Sequence, residues 1–138
     1  MIFHHTKNKG DLGVLKAKLD LFNQGYLILS PETEHAPFDL AIYKDGVFKT
    51  VQVKYRNLTK RGSLEVPFRS NYSSSRGVRS KKIDKSKVDV YAVYCPQTDC
   101  CYYFDPKSYN ESITLRVSKS LNHQSVGIHQ ADEFRKVP

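Results

Sequence analysis

The strongest constraint in this sequence is an alternation. From Phe38 to Tyr43, the residues Phe38, Leu40 and Ile42 fall on one side of a period-two pattern, with Asp39, Ala41 and Tyr43 on the other. From Val47 to Tyr55 the pattern resumes, with Val47, Val51 and Val53 apolar and Thr50, Gln52 and Lys54 polar. Period two marks a strand that buries one face. Between the runs stands Asp45-Gly46, a pair favoured in two-residue hairpin turns. A tight turn there sets the register: Lys44 pairs with Val47, Tyr43 with Phe48, and, counting inward, Asp39 falls opposite Gln52. Lys54 lies two residues further along and shares that face. A carboxylate, an amide and an ammonium therefore converge on one face. Phe38, Leu40, Ile42, Val51 and Val53 occupy the other, as core.

The rest of the chain supplies a frame for that hairpin. Leu12, Leu15, Leu19 and Phe22 recur at steps of three and four within Lys9 to Gln24, which predicts an amphipathic helix buried along that stripe. Gly25 stands where a helix C-terminal glycine belongs. Tyr26 to Leu29 reads as a short strand, and Leu64 to Arg69 as a strand that Pro67 restricts to an edge or bulge. Val88 to Cys95 and Cys100 to Phe104 read as a hairpin, followed by a helical turn after Asp105 and a strand over Ile113 to Val117. A chain of 138 residues fits one domain, 1–138, of α/β class with a mixed sheet.

Charge narrows the partners. Lys and Arg number 22 against 14 Asp and Glu, a net +8, and a surface of that sign attracts polyanions. No apolar run reaches the roughly 20 residues of a membrane span. The N-terminus shows no signal-peptide pattern. The odd set Cys95, Cys100 and Cys101 fits reduced thiols better than a disulfide or zinc framework. The expectation is a cytoplasmic protein that binds nucleic acid and no membrane.

Phosphodiester hydrolysis needs what the polar face offers. Asp39 can hold Mg²⁺, with Mn²⁺ as the alternative ion; such hard ions prefer oxygen ligands. Lys54 can stabilise charge on the phosphate, and Gln52 can offer a neutral oxygen or hold a water.

Pro37-Phe38-Asp39 followed by Gln52-Val53-Lys54 resembles the bipartite motif of the PD-(D/E)XK nucleases. The runs KNKGDLGVLKA (Lys7 to Ala17), EHAPFDL (Glu34 to Leu40), VQVKYR (Val51 to Arg56) and VDVYAVYCP (Val88 to Pro96) resemble the homing endonucleases of cyanobacterial group I introns, over roughly two-thirds of the chain. Those enzymes use glutamine where most relatives have an acid, as at Gln52. The resemblance implies a restriction-endonuclease-like mixed sheet flanked by helices and a site-specific DNA endonuclease that makes a double-strand break. It implies Asp39, Gln52 and Lys54 as the catalytic set, with metal held by Asp39 and the Val53 backbone carbonyl. Val14 stands where many relatives carry a helix glutamate, so Asp11, one turn earlier, is a substitute ligand or only a helix N-terminal aspartate.

The stretch from about residue 57 to 87 concentrates Lys60, Arg61, Arg69, Arg76, Arg79, Lys81 and Lys82, interleaved with Tyr72 and Ser74. Arg can read base edges and Lys and Ser can hold phosphates, so this segment is expected to contact double-stranded DNA. Cutting both strands needs two active centres, which implies a symmetric homo-oligomer; the resemblance points to a homodimer or homotetramer. Two alternatives share the fold: a Holliday-junction resolvase-like nuclease, and a catalytically inactive DNA-binding module, for which Val14 and Gln52 speak. His35, near Asp39, would serve a metal-free mechanism as general base. Tyr91, Tyr94, Tyr102 and Tyr103 read as sheet packing.

Overall fold

The computed structural model describes residues 5–118 and 128–138, without the side chains of 5, 6 and 70–74. A single α-helix among them, α1 (His5–Asn23), leads into β1 (Leu27–Leu29), β2 (Leu40–Lys44) and β3 (Val47–Tyr55). The chain continues through β4 (Ser63–Pro67), β5 (Arg69–Ser74), β6 (Gly77–Lys82), β7 (Val90–Cys95), β8 (Cys100–Phe104), β9 (Ser112–Arg116) and β10 (His129–Gln130), with 3₁₀ turns at Lys85–Lys87, Pro106–Ser108 and Ala131–Phe134.

The central sheet has the order β1-β2-β3-β7-β8. It is mixed, because β3 and β7 run parallel while the other pairs are antiparallel. A parallel neighbour cannot follow through a tight turn. The connection from β3 to β7 therefore has room for β4, β5 and β6. Asp45 and Gly46 take φ values of +52° and +82°, as a type I′ hairpin requires. The resulting register pairs Lys44 with Val47, Tyr43 with Phe48 and Leu40 with Val51.

Two cores sandwich this sheet. On one face Ala17 and Leu21 of α1 pack with Leu40, Ile42, Val51, Val53, Val90 and Ala92. On the other, the three-stranded sheet β10-β9-β4 brings Leu64, Val66, Ile113 and Leu115 against Tyr91, Val93, Tyr102 and Phe104. The layers are helix, sheet, sheet, and only one of the expected flanking helices is present among the described residues.

The helix faces the sheet with the stripe opposite to the one its periodicity suggested. Leu12, Leu15, Leu19 and Phe22 are 39%, 63%, 59% and 68% exposed. Gly13, Ala17 and Leu21 are buried instead. At about 100° per residue the two stripes are centred about 180° apart. The reason is closeness of approach. A Cβ on Gly13 would already touch Val53 Cγ1 at 3.6 Å and Tyr55 Cβ at 3.7 Å, so the contact line of α1 begins with the small residues Gly13 and Ala17 before Leu21. Gly25, at φ +94°, closes the helix with Tyr26 N–H donating to Leu21 O and Gly25 N–H to Phe22 O, a Schellman motif.

Pro67 is the last residue of β4, at the edge of the smaller sheet, and the expected Leu64–Arg69 strand divides there. Buried Phe68 anchors the break, and Arg69 starts a separate hairpin, β5–β6, that pairs with neither larger sheet.

Candidate active site

Asp39 sits one residue before β2, where its N–H still donates to Val51 O at 3.0 Å. That bond keeps Asp39 against β3 just beyond the Leu40–Val51 pair, next to Gln52. Its carboxylate Oδ2 accepts from Gln52 Nε2 at 3.0 Å and from Val53 N–H at 2.8 Å. No hydrogen bond falls on Oδ1 among the described residues. Odd-numbered residues of β3 turn their backbone groups toward β2, as Val51 O and Val53 N–H show. The Val53 carbonyl shares that side, since both backbone groups of a strand residue face the same neighbour.

Lys54 lies on the same face and its Nζ donates to the Arg69 carbonyl at 3.2 Å, at the root of the β5–β6 hairpin. Among the described residues it forms no direct ion pair with Asp39, yet each feels the other. Burial raises the Asp39 carboxyl above its ordinary pKa, opposed by the Val53 hydrogen bond and the Lys54 charge. Burial lowers the Lys54 ammonium, opposed by Asp39 and aided by nearby Arg56. A half-buried carboxylate with one open oxygen, next to a backbone carbonyl, fits a divalent cation: it offers hard oxygen ligands, and the cation would relieve its desolvation. No group of three or more His, Cys, Asp or Glu gathers among the described residues, so protein ligands are few.

The remaining candidates are placed as follows. Asp11 is exposed on α1, against the opposite face of the sheet, with no hydrogen bond or ion pair to Asp39 among the described residues. Val14 is half-buried against the helix-side core. His35 is exposed in the loop before β2. Lys60 and Arg61 are exposed in the β3–β4 loop. Arg69, Arg76, Arg79, Lys81 and Lys82 stand along the β5–β6 hairpin, all exposed. Two of them also brace it: Arg69 Nε donates to Ser80 Oγ at 2.8 Å, and Lys82 pairs with Glu111 at 3.3 Å. The Tyr72 and Ser74 backbones belong to β5, while their side chains lie outside the described set. Lys85 serves the fold, donating to the carbonyls of Tyr109 and Asn110 with its ammonium 4.5 Å from the Phe68 ring centre. Tyr91 was legible only as a packing residue, yet it stands on β7 directly beside Gln52.

A family model described as PD-(D/E)XK endonuclease matches residues 4–137. Among solved structures, the bacterial homing endonuclease I-Ssp6803I is similar with a TM-score of 0.72 and 20% sequence identity, over 94% of this chain and 88% of that one. At that identity the likeness speaks for the fold. No curated protein matches the sequence. No helix among the described residues is long and apolar enough to cross a membrane.

Proposed function

Since the chain belongs to the PD-(D/E)XK endonuclease family, we propose that it is a site-specific, intron-homing type of DNA endonuclease that cuts both strands with Asp39, Gln52 and Lys54. The observation that carries this reading is the convergence of those three side chains at the foot of a cationic hairpin. Asp39 and the Val53 carbonyl would hold Mg²⁺, with Mn²⁺ as the alternative. Bound there, the ion would polarise the scissile phosphate and lower the pKa of a neighbouring water.

The protein's own groups do the rest. Gln52 and the Val53 N–H hold the Asp39 carboxylate by one oxygen, which fixes its rotamer and keeps the other oxygen available. Gln52 thus acts as a neutral clamp where an acid would add charge. Lys54 provides positive charge for the phosphate as negative charge develops in the transition state. With one carboxylate in the centre, metal affinity without DNA would be weak, and the substrate phosphate would offer further oxygen ligands. The β5–β6 hairpin has the width of a ribbon that enters the major groove, with Arg79 and Lys81 exposed for base and phosphate contacts.

A homodimer or homotetramer supplies the second centre that a double-strand break requires. The exposed stripe Leu12, Leu15, Leu19 and Phe22 supports self-association. Those four large apolar side chains lie along one helix face, and an apolar patch of that kind is a candidate interaction surface.

The lone carboxylate also favours a second reading, a DNA-binding module that has lost catalysis. Incubation of host genomic DNA with protein and Mg²⁺, beside Asp39→Asn and Lys54→Ala, separates the two. One discrete cut absent from both variants is the expected result. Salt-sensitive binding without cutting would leave the binding module, and cutting confined to four-way junctions would reassign the substrate.

A further inference from the structure

The β7–β8 hairpin buries four tyrosines, Tyr91, Tyr94, Tyr102 and Tyr103. Three of their hydroxyls are partnered: Tyr94 donates to Asp99 at 2.7 Å, Tyr102 to Thr98 at 3.0 Å and Tyr103 to Asp20 at 2.5 Å. The fourth is different. Tyr91 is 0% exposed and its hydroxyl has no hydrogen-bond partner among the described residues. Buried polar groups are almost always satisfied, by protein or by ordered water, because an unmade bond penalises the fold.

The position of this orphan is informative. Tyr91 is paired with Gln52 across β3 and β7, so its side chain rises on the face that carries Gln52 and, one strand further, Asp39. Its ring is clamped by Phe68, edge-on at 5.2 Å, and by Phe104 at 5.7 Å, so the hydroxyl cannot swing away to another partner. Burial and the Asp39 charge both push the phenol's pKa up, which keeps it a neutral donor. Asp39, in turn, directs both of its hydrogen bonds to Oδ2 and leaves Oδ1 open. One group lacks an acceptor and the other lacks a donor, on the same face of the same sheet.

We propose that Tyr91 is a positioning residue of the active centre, its hydroxyl donating to a water that is shared with the free Oδ1 of Asp39. This rests on the nuclease reading above. A water there gains two protein partners, and phosphate or metal supplies a third, within the number a buried water normally makes. The hydroxyl orients that water and, through it, the carboxylate. It adds no charge.

The test is Tyr91→Phe, with Tyr102→Phe as a control for loss of a buried hydroxyl elsewhere. Outer partners of metal ligands typically carry about ten-fold or more in affinity or rate. Tyr91→Phe should therefore lower kcat and weaken Mn²⁺ binding, followed by electron paramagnetic resonance without DNA, each by about that factor. DNA affinity in Ca²⁺ should stay unchanged, and the metal-free melting temperature should fall by no more than in Tyr102→Phe, because only one buried hydroxyl and its hydrogen bond are lost. Unaltered kcat and Mn²⁺ binding in Tyr91→Phe would overturn the proposal, whatever happens to stability. So would a fall in melting temperature with normal kinetics, which would place the hydroxyl in the fold alone. If wild type neither binds Mn²⁺ nor cuts, and Asp39→Asn is indistinguishable from it, the nuclease reading fails and takes this proposal with it. Failure of the Tyr91 role alone leaves wild type active and Asp39→Asn dead.

Discussion

Asp39→Asn should kill cleavage while leaving the metal-free protein at least as stable as before. Asparagine has the same shape, and its one carbonyl oxygen can accept from both Gln52 Nε2 and Val53 N–H as Oδ2 does. What disappears is a charge that burial disfavours, since the folded carboxyl's pKa is raised by desolvation. The sign follows from linkage: a carboxyl whose pKa is higher folded than unfolded favours the folded state below its unfolded pKa, and that contribution is lost as pH rises through the folded value. The variant's advantage is therefore full at neutral pH and fades in acid. Its size is that of a typical single stabilising substitution, about 0.5–2 kcal/mol. Mg²⁺ should reverse the order. For an ion binding with a dissociation constant of about 1 mM, 10 mM Mg²⁺ stabilises wild type by RT ln(1 + [L]/Kd), about 1.4 kcal/mol, and the variant by almost nothing. Thermal melts at pH 7 with EDTA and with Mg²⁺ read both effects. A variant less stable than wild type in EDTA, or equal Mg²⁺ shifts in both proteins, would refute the assignment of Asp39 as the metal-holding carboxylate.

Four further outcomes follow from the geometry. Leu21→Ala, at a fully buried position, should cost about 2–5 kcal/mol in urea denaturation, while Leu19→Ala should cost under about 1 kcal/mol at high dilution. Leu15→Glu with Leu19→Glu should lower the mass seen in sedimentation equilibrium while far-ultraviolet circular dichroism stays native. An unchanged mass would remove this stripe from the interface. Arg79→Ala with Lys81→Ala should weaken DNA binding and reduce its salt slope by up to about 2, as each lost phosphate contact removes roughly 0.9. Lys85→Ala acts instead on the fold, because its ammonium is held by the Tyr109 and Asn110 carbonyls, and should register as a lower melting temperature.

Much of the site was legible before any coordinates, because it is local. A hairpin with Asp-Gly at its turn has one register, and that register, which runs from Lys44–Val47 to Leu40–Val51, brings Asp39 next to Gln52, with Lys54 two residues further along. Chain geometry within 20 residues settles that, so tertiary context has little left to decide. The cap at Gly25 and the edge position of Pro67 were readable for the same reason: each follows from what one residue's backbone can do.

The misreading of α1 shows where local logic ends. Period and hydrophobicity both selected Leu12, Leu15, Leu19 and Phe22, yet the sheet takes the face of Gly13, Ala17 and Leu21. Which stripe is buried depends on how closely the partner surface approaches, and that distance belongs to the assembled sheet. The same holds for Tyr91. In the sequence it is one aromatic in an apolar strand. Parallel pairing of β7 with β3, a contact across 39 residues, is what sets it beside Gln52. Lys54 likewise meets the Arg69 carbonyl only because the folded chain brings the start of β5 beside β3. Short-range stereochemistry fixes registers and caps, whereas long-range packing selects faces and brings distant strands together, and only the folded chain contains that information.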